Sequence, residues 1–252
     1  DDTVSKAEEL GAKVFQYDWS STANFARKLN WALRNVPFET SWVIRLDADE
    51  YFLDETIYQV REKLLSIPSH INAVSLNRRF IFLGKWIKRG FYPQPCLRIT
   101  RFGCAEYDDT WLDEYVNVPI EQTCHLPLDF VDESLIGINR WTEKHIHYAN
   151  LQVIEDVRST ISRDEIGHFG QLKNRRYKLY NSLPLFLRPT IYFFYRYFVR
   201  RGFLDGSKGF IFAFLQAWWY RLLIDIKLHE INLACGSDIN KMRAYVKEYY
   251  DV

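Results

Sequence analysis

The apolar run Trp42-Val43-Ile44-Arg45-Leu46 stops abruptly at Asp47-Ala48-Asp49-Glu50. A short apolar segment of this kind predicts a buried strand over 42–47. Such a strand carries acidic side chains to the end of a sheet, and α/β proteins bind ligands in the crevice beyond the strand carboxyl ends. If the segment stays extended, Asp47 and Asp49 point to the same side, because side chains alternate with period two. Two hard oxygen ligands on one side suit Mg²⁺ or Mn²⁺, particularly when substrate phosphates complete the octahedron. An acidic strand end also serves as a solvated turn or a helix N-cap, so the flanking segments decide between these uses.

Those flanks alternate. Residues 1–12 read as a capped helix ended by Gly11, 13–16 as a short strand, 22–34 as a helix with Phe25, Leu29 and Ala32 on one face. Strand 42–47 follows, then a helix over 54–66 and a strand over 71–76. This order predicts a mainly parallel sheet with crossover helices. From Asn77, the breakers Gly84, Gly90, Pro93 and Pro95 signal turns and a loop, with further strands over 95–101 and 115–120 and a helical pattern over 132–162. The 252 residues suit one large α/β domain or a domain with an appendage. A net charge of +1 gives no nucleic-acid signature. Four scattered cysteines without a Cys-X-X-Cys pair suit a reducing compartment. The chain opens at Asp1 rather than Met and so reads as a fragment or a processed chain, and no basic n-region and apolar h-region of a signal peptide open it.

Residues 171–230 have a different character. They hold eleven Lys/Arg against three acids, with aromatic-rich runs at Ile191–Phe198 and Phe210–Tyr220. Each run is shorter than the roughly 20 residues of a membrane-spanning helix. Short apolar segments with basic flanks and interfacial Trp and Tyr fit helices lying in a membrane surface. A buried aromatic core would have the same richness in rings, but it rarely needs Arg196, Arg200, Arg201 and Arg221 among them.

Two more segments carry chemistry. Asp108-Asp109-Thr110-Trp111-Leu112-Asp113-Glu114 is a second acidic cluster, able to supply a general base or merely to form a polar turn. Asn77–Pro93 mixes Arg and Lys with Trp86, Phe91 and Tyr92, which suits a phosphate-bearing or sugar ligand as well as a basic surface loop.

Taken in order, these segments resemble the family-2 glycosyltransferases of GT-A fold, in particular the bacterial group that builds lipopolysaccharide cores and extracellular polysaccharides. The resemblance runs through Asp1-Asp2-Thr3 with Gly11-Ala12-Lys13-Val14, Asn30-Trp31-Ala32-Leu33, Leu46-Asp47-Ala48-Asp49-Glu50 and Phe82-Leu83-Gly84-Lys85-Trp86. It continues through Tyr92-Pro93, Leu97-Arg98, Arg188-Pro189 and Gly202-Phe203-Leu204-Asp205-Gly206-Ser207-Lys208-Gly209-Phe210. It implies a Rossmann-like GT-A core over 1–130, lacking about forty upstream residues with the first strand and the nucleoside-binding segment. A helical, membrane-associating region over 131–252 would follow.

The implied activity is a metal-dependent, inverting hexosyltransferase at the cytoplasmic face of a bacterial inner membrane. It would move a sugar from a nucleotide-diphosphate sugar to a hydroxyl of a lipid-linked, lipopolysaccharide or exopolysaccharide glycan. By resemblance, Asp49 with Asp47 holds Mg²⁺ or Mn²⁺ on the donor diphosphate, Glu114 is the base with Asp113 in reserve, and Trp86, Tyr92 and Arg98 line the acceptor side. Partners would be the nucleotide sugar, the glycan acceptor and an anionic membrane surface, with no nucleic acid. Two other readings stand beside it: a non-catalytic membrane scaffold with a degenerate GT-A core, and a nucleotidyltransferase. The nucleotidyltransferase would want a Gly-rich, basic phosphate loop after its first strand.

Overall fold

The computed structural model describes residues 2–19, 24–108, 116–161, 179–236 and 238–250. Helix α1 (Thr3–Glu9) ends as its glycine requires. Gly11 takes φ +83, and the N–H groups of Gly11 and Ala12 return to the carbonyls of Glu8 and Ala7. No strand follows at 13–16. Helix α2 (Phe25–Asn35) starts at Asn24, whose side chain accepts from the Arg27 N–H at 3.1 Å.

The sheet is mixed rather than mainly parallel. Its strands are β1 (Trp42–Ile44), β2 (Glu50–Tyr51), β3 (Ala73–Phe82), β4 (Lys85–Trp86), β5 (Pro95–Arg101) and β6 (Thr123–Glu133), in the order β1-β5-β3-β6-β2, with β4 beside β3. Only β3 and β6 run parallel among these pairings. The expected parallel order fails because β5 enters between β1 and β3 antiparallel to both. Leu83 and Gly84, both at positive φ, also close a two-residue hairpin that folds β4 back on β3. Helix α3 (Asp54–Leu65), with Asp54 and Glu55 in its first turn, packs Val60 and Leu64 against Val74, Leu76, Ile99 and Phe130.

Strand β6 has no counterpart in the expected pattern, because Pro127 interrupts it. The β3–β6 ladder passes from Ser75↔His125 to Asn77↔Asp129, so Leu76 faces three residues and Pro127 lies in the irregularity. The expected helix over 132–162 accordingly starts later, as α4 (Ile138–Ile161).

The C-terminal region is helical: α5 (Leu187–Phe194) with a π turn over Tyr195–Val199, then a 3₁₀ turn over Gly202–Asp205, α6 (Gly206–Ala213), a π turn over Phe214–Trp219, α7 (Tyr220–Cys235) and α8 (Ile239–Tyr249). The second aromatic run does not stand alone. It lies inside one continuous helical stretch, Gly202–Cys235, of 34 residues, long and apolar enough to cross a membrane by length and composition. Part of it is core: Ile224 and Ile231 pack with Ala149, Val153 and Ile154 of α4 and Val246 of α8. Phe212 and Ala217 pack on Phe82, Ile87, Phe91 and Trp141. A buried ion pair, Arg188–Asp225 at 2.5 Å, ties α5 to α7, and Asp225 also accepts the Phe186 N–H at 2.7 Å.

Candidate active site

The acidic segment is a turn and not an extended strand. β1 ends at Ile44, and the Glu50 N–H donates to the Asp47 carbonyl at 2.9 Å, closing Asp47-Ala48-Asp49-Glu50 on itself. The Asp47 N–H in turn donates to Glu50 Oε2 at 3.1 Å. The two carboxylates expected on one side therefore separate. Asp47 receives both its oxygens' contacts from Arg45 Nη2, at 3.0 and 3.1 Å, with Arg98 Nη2 at 3.6 Å. Asp49 faces Lys144 of α4 instead, at 3.9 Å.

Arg98 is the anchor of this turn. It is 6% exposed and forks onto Glu50, Nε to Oε2 at 2.9 Å and Nη2 to Oε1 at 2.5 Å. Its place follows from the sheet: the Arg45 N–H donates to the Arg98 carbonyl, so both guanidiniums leave neighbouring strands beside the turn. Burial raises the cost of ionising Asp47, but Arg45, Arg98 and Arg78 outweigh it and hold the carboxyl below its usual range. Asp132, opposite Glu50 in the β2–β6 pairing, behaves the other way. Burial, then the nearby charges of Asp49 and Glu50, push it up to about 6 against the pull of Arg78. Burial opposes a charge on Lys144, yet Tyr148, Asp49 and Asp132 raise its pKa.

Trp86 and Tyr92 come together, without Arg98. Their rings meet edge to face at 5.4 Å, Arg79 lies 3.9 Å and Lys88 4.6 Å from the Trp86 ring, and Tyr92 donates to Asp129, which pairs with Arg79 at 2.6 Å. The buried Trp86 indole N–H has no acceptor among the described residues. The loop is clamped from the C-terminal region. Buried Asp205 accepts the Arg89 N–H at 2.7 Å, its carbonyl accepts from Lys85, and Lys208 reaches the Leu83 carbonyl. A Cβ on Gly209 would lie 2.5 Å from the Asp205 Cβ and 2.8 Å from the Gly202 carbonyl, so this helix turn requires glycine there.

Asp113 and Glu114 lie outside the described residues. Of the flanking residues, Tyr107 pairs with Val116, and Asn30 both accepts the Tyr107 N–H and donates to its carbonyl, each at 2.8 Å. The Arg45 guanidinium stands 5.9 Å from the Tyr107 ring, which sets this pair beside the acidic turn.

Among the described residues, no three His, Cys, Asp or Glu side chains form a cluster able to enclose a metal ion. The donor set fits a reduced form of the expected cation site. Mg²⁺ characteristically takes one or two carboxylates and completes its octahedron with phosphate and water oxygens. Asp49, about one-third exposed, can serve so. Asp47 is engaged by two arginines. Glu50, Arg45, Arg78, Asp132 and Lys144 were absent from the sequence-derived set; of these Glu50 carried a signal as the third acid of the motif, and Arg78 one as part of the basic, aromatic segment 77–93. No protein-family model matches the chain.

Proposed function

We propose that the chain is the catalytic part of a membrane-surface glycosyltransferase, moving a sugar from a nucleotide-diphosphate donor to a hydroxyl of a lipid-linked or polysaccharide acceptor. One observation carries the reading. The Asp47–Glu50 turn is locked from below by Arg98 and Arg45, leaving Asp49 as the outward carboxylate beside Lys144 and Asp132. Such a fork suits a site that must hold one carboxylate still.

In this reading Asp49 holds the Mg²⁺ or Mn²⁺, with Asp47 as the residue that orients Arg45 and Arg98. Such a cation supplies Lewis-acid stabilisation of the leaving diphosphate. Lys144 adds a positive charge on the same side. Glu114, or Asp113 in reserve, accepts the proton of the attacking hydroxyl. Trp86 and Tyr92 border the acceptor sugar, and Arg79 with Asp129 fixes their orientation. The helical region, with its exposed aromatics, keeps the site at a membrane surface on the cytoplasmic side.

Calorimetric titration of the full-length protein with nucleoside diphosphates, with and without Mn²⁺, tests the donor side. Binding should require the metal, and Asp49→Ala should lose the metal-dependent part while keeping the wild-type circular dichroism spectrum. Metal-independent binding that survives in Asp49→Ala would remove Asp49 from the role.

A further inference from the structure

Two hollows meet where the 83–92 loop touches the turn between α5 and α6. One, of about 230 Å³, is lined by Lys88, Arg89, Arg200 and Arg201 together with Tyr92 and Val199. The other, about 580 Å³, is lined by Ile191, Phe194, Tyr195, Phe198 and Val199, and Val199 belongs to both. No acid lines either hollow. Among the described residues no carboxylate pairs with any of the four cations. Lys88 lies over the Trp86 ring, and Arg200 reaches only the Tyr92 carbonyl at 3.3 Å.

The cationic cup is built on fixed backbone. The Gly90 N–H donates to the Arg200 carbonyl at 3.0 Å, and Arg196 donates to the Gly90 carbonyl at 2.6 Å. A Cβ on Gly90 would lie 3.0 Å from the Arg196 carbonyl, so the two segments touch directly. Arg201 takes φ +59, a left-handed bend uncommon outside glycine, and turns the chain at the rim. Next to it the groove residues stay open to solvent: Val199 is 69%, Phe194 53% and Phe198 50% exposed.

We infer that this junction is the binding site of a lipid with a terminal phosphate, a phosphomonoester rather than a phosphodiester, its headgroup in the cup and its chain in the groove. Clustered cations without counter-charge repel one another, and a phosphate takes their guanidinium forks. A soluble phosphate would fill the cup and leave the groove wet. A neutral lipid would fill the groove and leave the cations unpaired. A lipid phosphate satisfies both. Tyr92 borders the cup and also touches Trp86, so a glycan carried on such a lipid would emerge at the aromatic group assigned to the acceptor. The inference rests on the membrane-surface transferase reading and names its acceptor class.

Vesicle co-sedimentation of the full-length protein, without any nucleotide sugar, tests it. Phosphatidylcholine vesicles carrying phosphatidic acid are compared with vesicles carrying phosphatidylglycerol at matched surface charge. The wild type should prefer phosphatidic acid by about ten-fold. Lys88→Gln/Arg200→Gln should lose that preference, as should Arg201→Asn, and Phe194→Asn/Phe198→Asn should weaken binding to both vesicles. Lys241→Gln/Arg243→Gln, which removes the same charge from α8, should keep the preference. Equal partition of the wild type would overturn the site, and so would an equal loss in the α8 variant. Binding to phosphatidic acid left at full strength in Phe194→Asn/Phe198→Asn would overturn the lipid assignment in favour of a site for free phosphate. Because no donor is present, a protein that fails to transfer sugar still reports on the lipid, and the two failures stay distinct.

Discussion

Arg98 and Glu50 form a buried pair whose members depend on each other. Removing one partner leaves a charge in a dry site, which typically costs about 3–5 kcal/mol, whereas replacing both with apolar side chains is often nearly neutral. Arg98→Met is therefore expected to destabilise strongly in urea unfolding, and Glu50→Leu/Arg98→Met to recover most of the loss. A single variant as stable as the wild type would show that the fork does not hold the turn. Two titrating groups have opposite signs. Asp132, raised to about 6, binds more protons folded than unfolded between about pH 4 and 6, so its contribution falls as pH rises through that window. His145 is pushed down to about 4 by burial, with Nδ1 against the Trp141 carbonyl and Nε2 against Gln216. It binds fewer protons folded between about pH 4 and 6.5, so its contribution grows with pH and is lost on acidification. Each is worth on the order of 2–3 kcal/mol. Unfolding of Asp132→Asn should show a steeper rise in stability from pH 4 to 6, and a protein more stable than wild type at neutral pH. An unchanged pH slope would place Asp132 in a more open setting.

At the scale of elements, the loop 83–92 is positioned by the turn 202–209. Gly209→Ala forces a contact of 2.5 Å with the Asp205 side chain, and Asp205→Ala leaves the Arg89 N–H without its acceptor. Both are expected to cost about 1–3 kcal/mol and to speed hydrogen exchange over 83–92, with the β3–β6 ladder unaffected. Exchange that stays slow in that loop would mean the clamp is dispensable. The Gly202–Phe210 segment, singled out by resemblance, is the one that carries this clamp. Much else was legible for local reasons: α1 from its Gly11 stop, α3 within a residue, and β5 over the very residues expected. Strand β6 was hidden by Pro127, and the mixed order by β5, which enters antiparallel between β1 and β3 after a segment that reads in sequence as an ordinary loop. The acidic motif itself was legible in composition but not in conformation. Its turn is set by Glu50 folding back on Asp47, and its buried partner Arg98 comes from β5, far away in sequence, which periodicity does not reveal.

At the scale of the molecule, an α/β half with an acidic turn is joined to a helical half that exposes aromatic side chains and contains one long apolar helix. Their junction is packed: Phe82, Ile87 and Phe91 meet Phe212 and Trp141. A membrane bound through the helical half would therefore be held at a fixed distance from the Asp49 side, which suits transfer to an acceptor anchored in the bilayer. The central claim concerns that transfer, and one measurement addresses it most directly. The full-length protein is given a panel of nucleotide sugars with Mn²⁺ and membrane lipid acceptors, and release of nucleoside diphosphate together with labelled lipid product is followed. The account predicts turnover of at least one donor, abolished in Asp49→Ala and in Glu114→Gln, with nucleoside diphosphate binding retained in Glu114→Gln alone. Turnover undiminished in Asp49→Ala, or no turnover of any nucleotide sugar by the folded wild type, would contradict it.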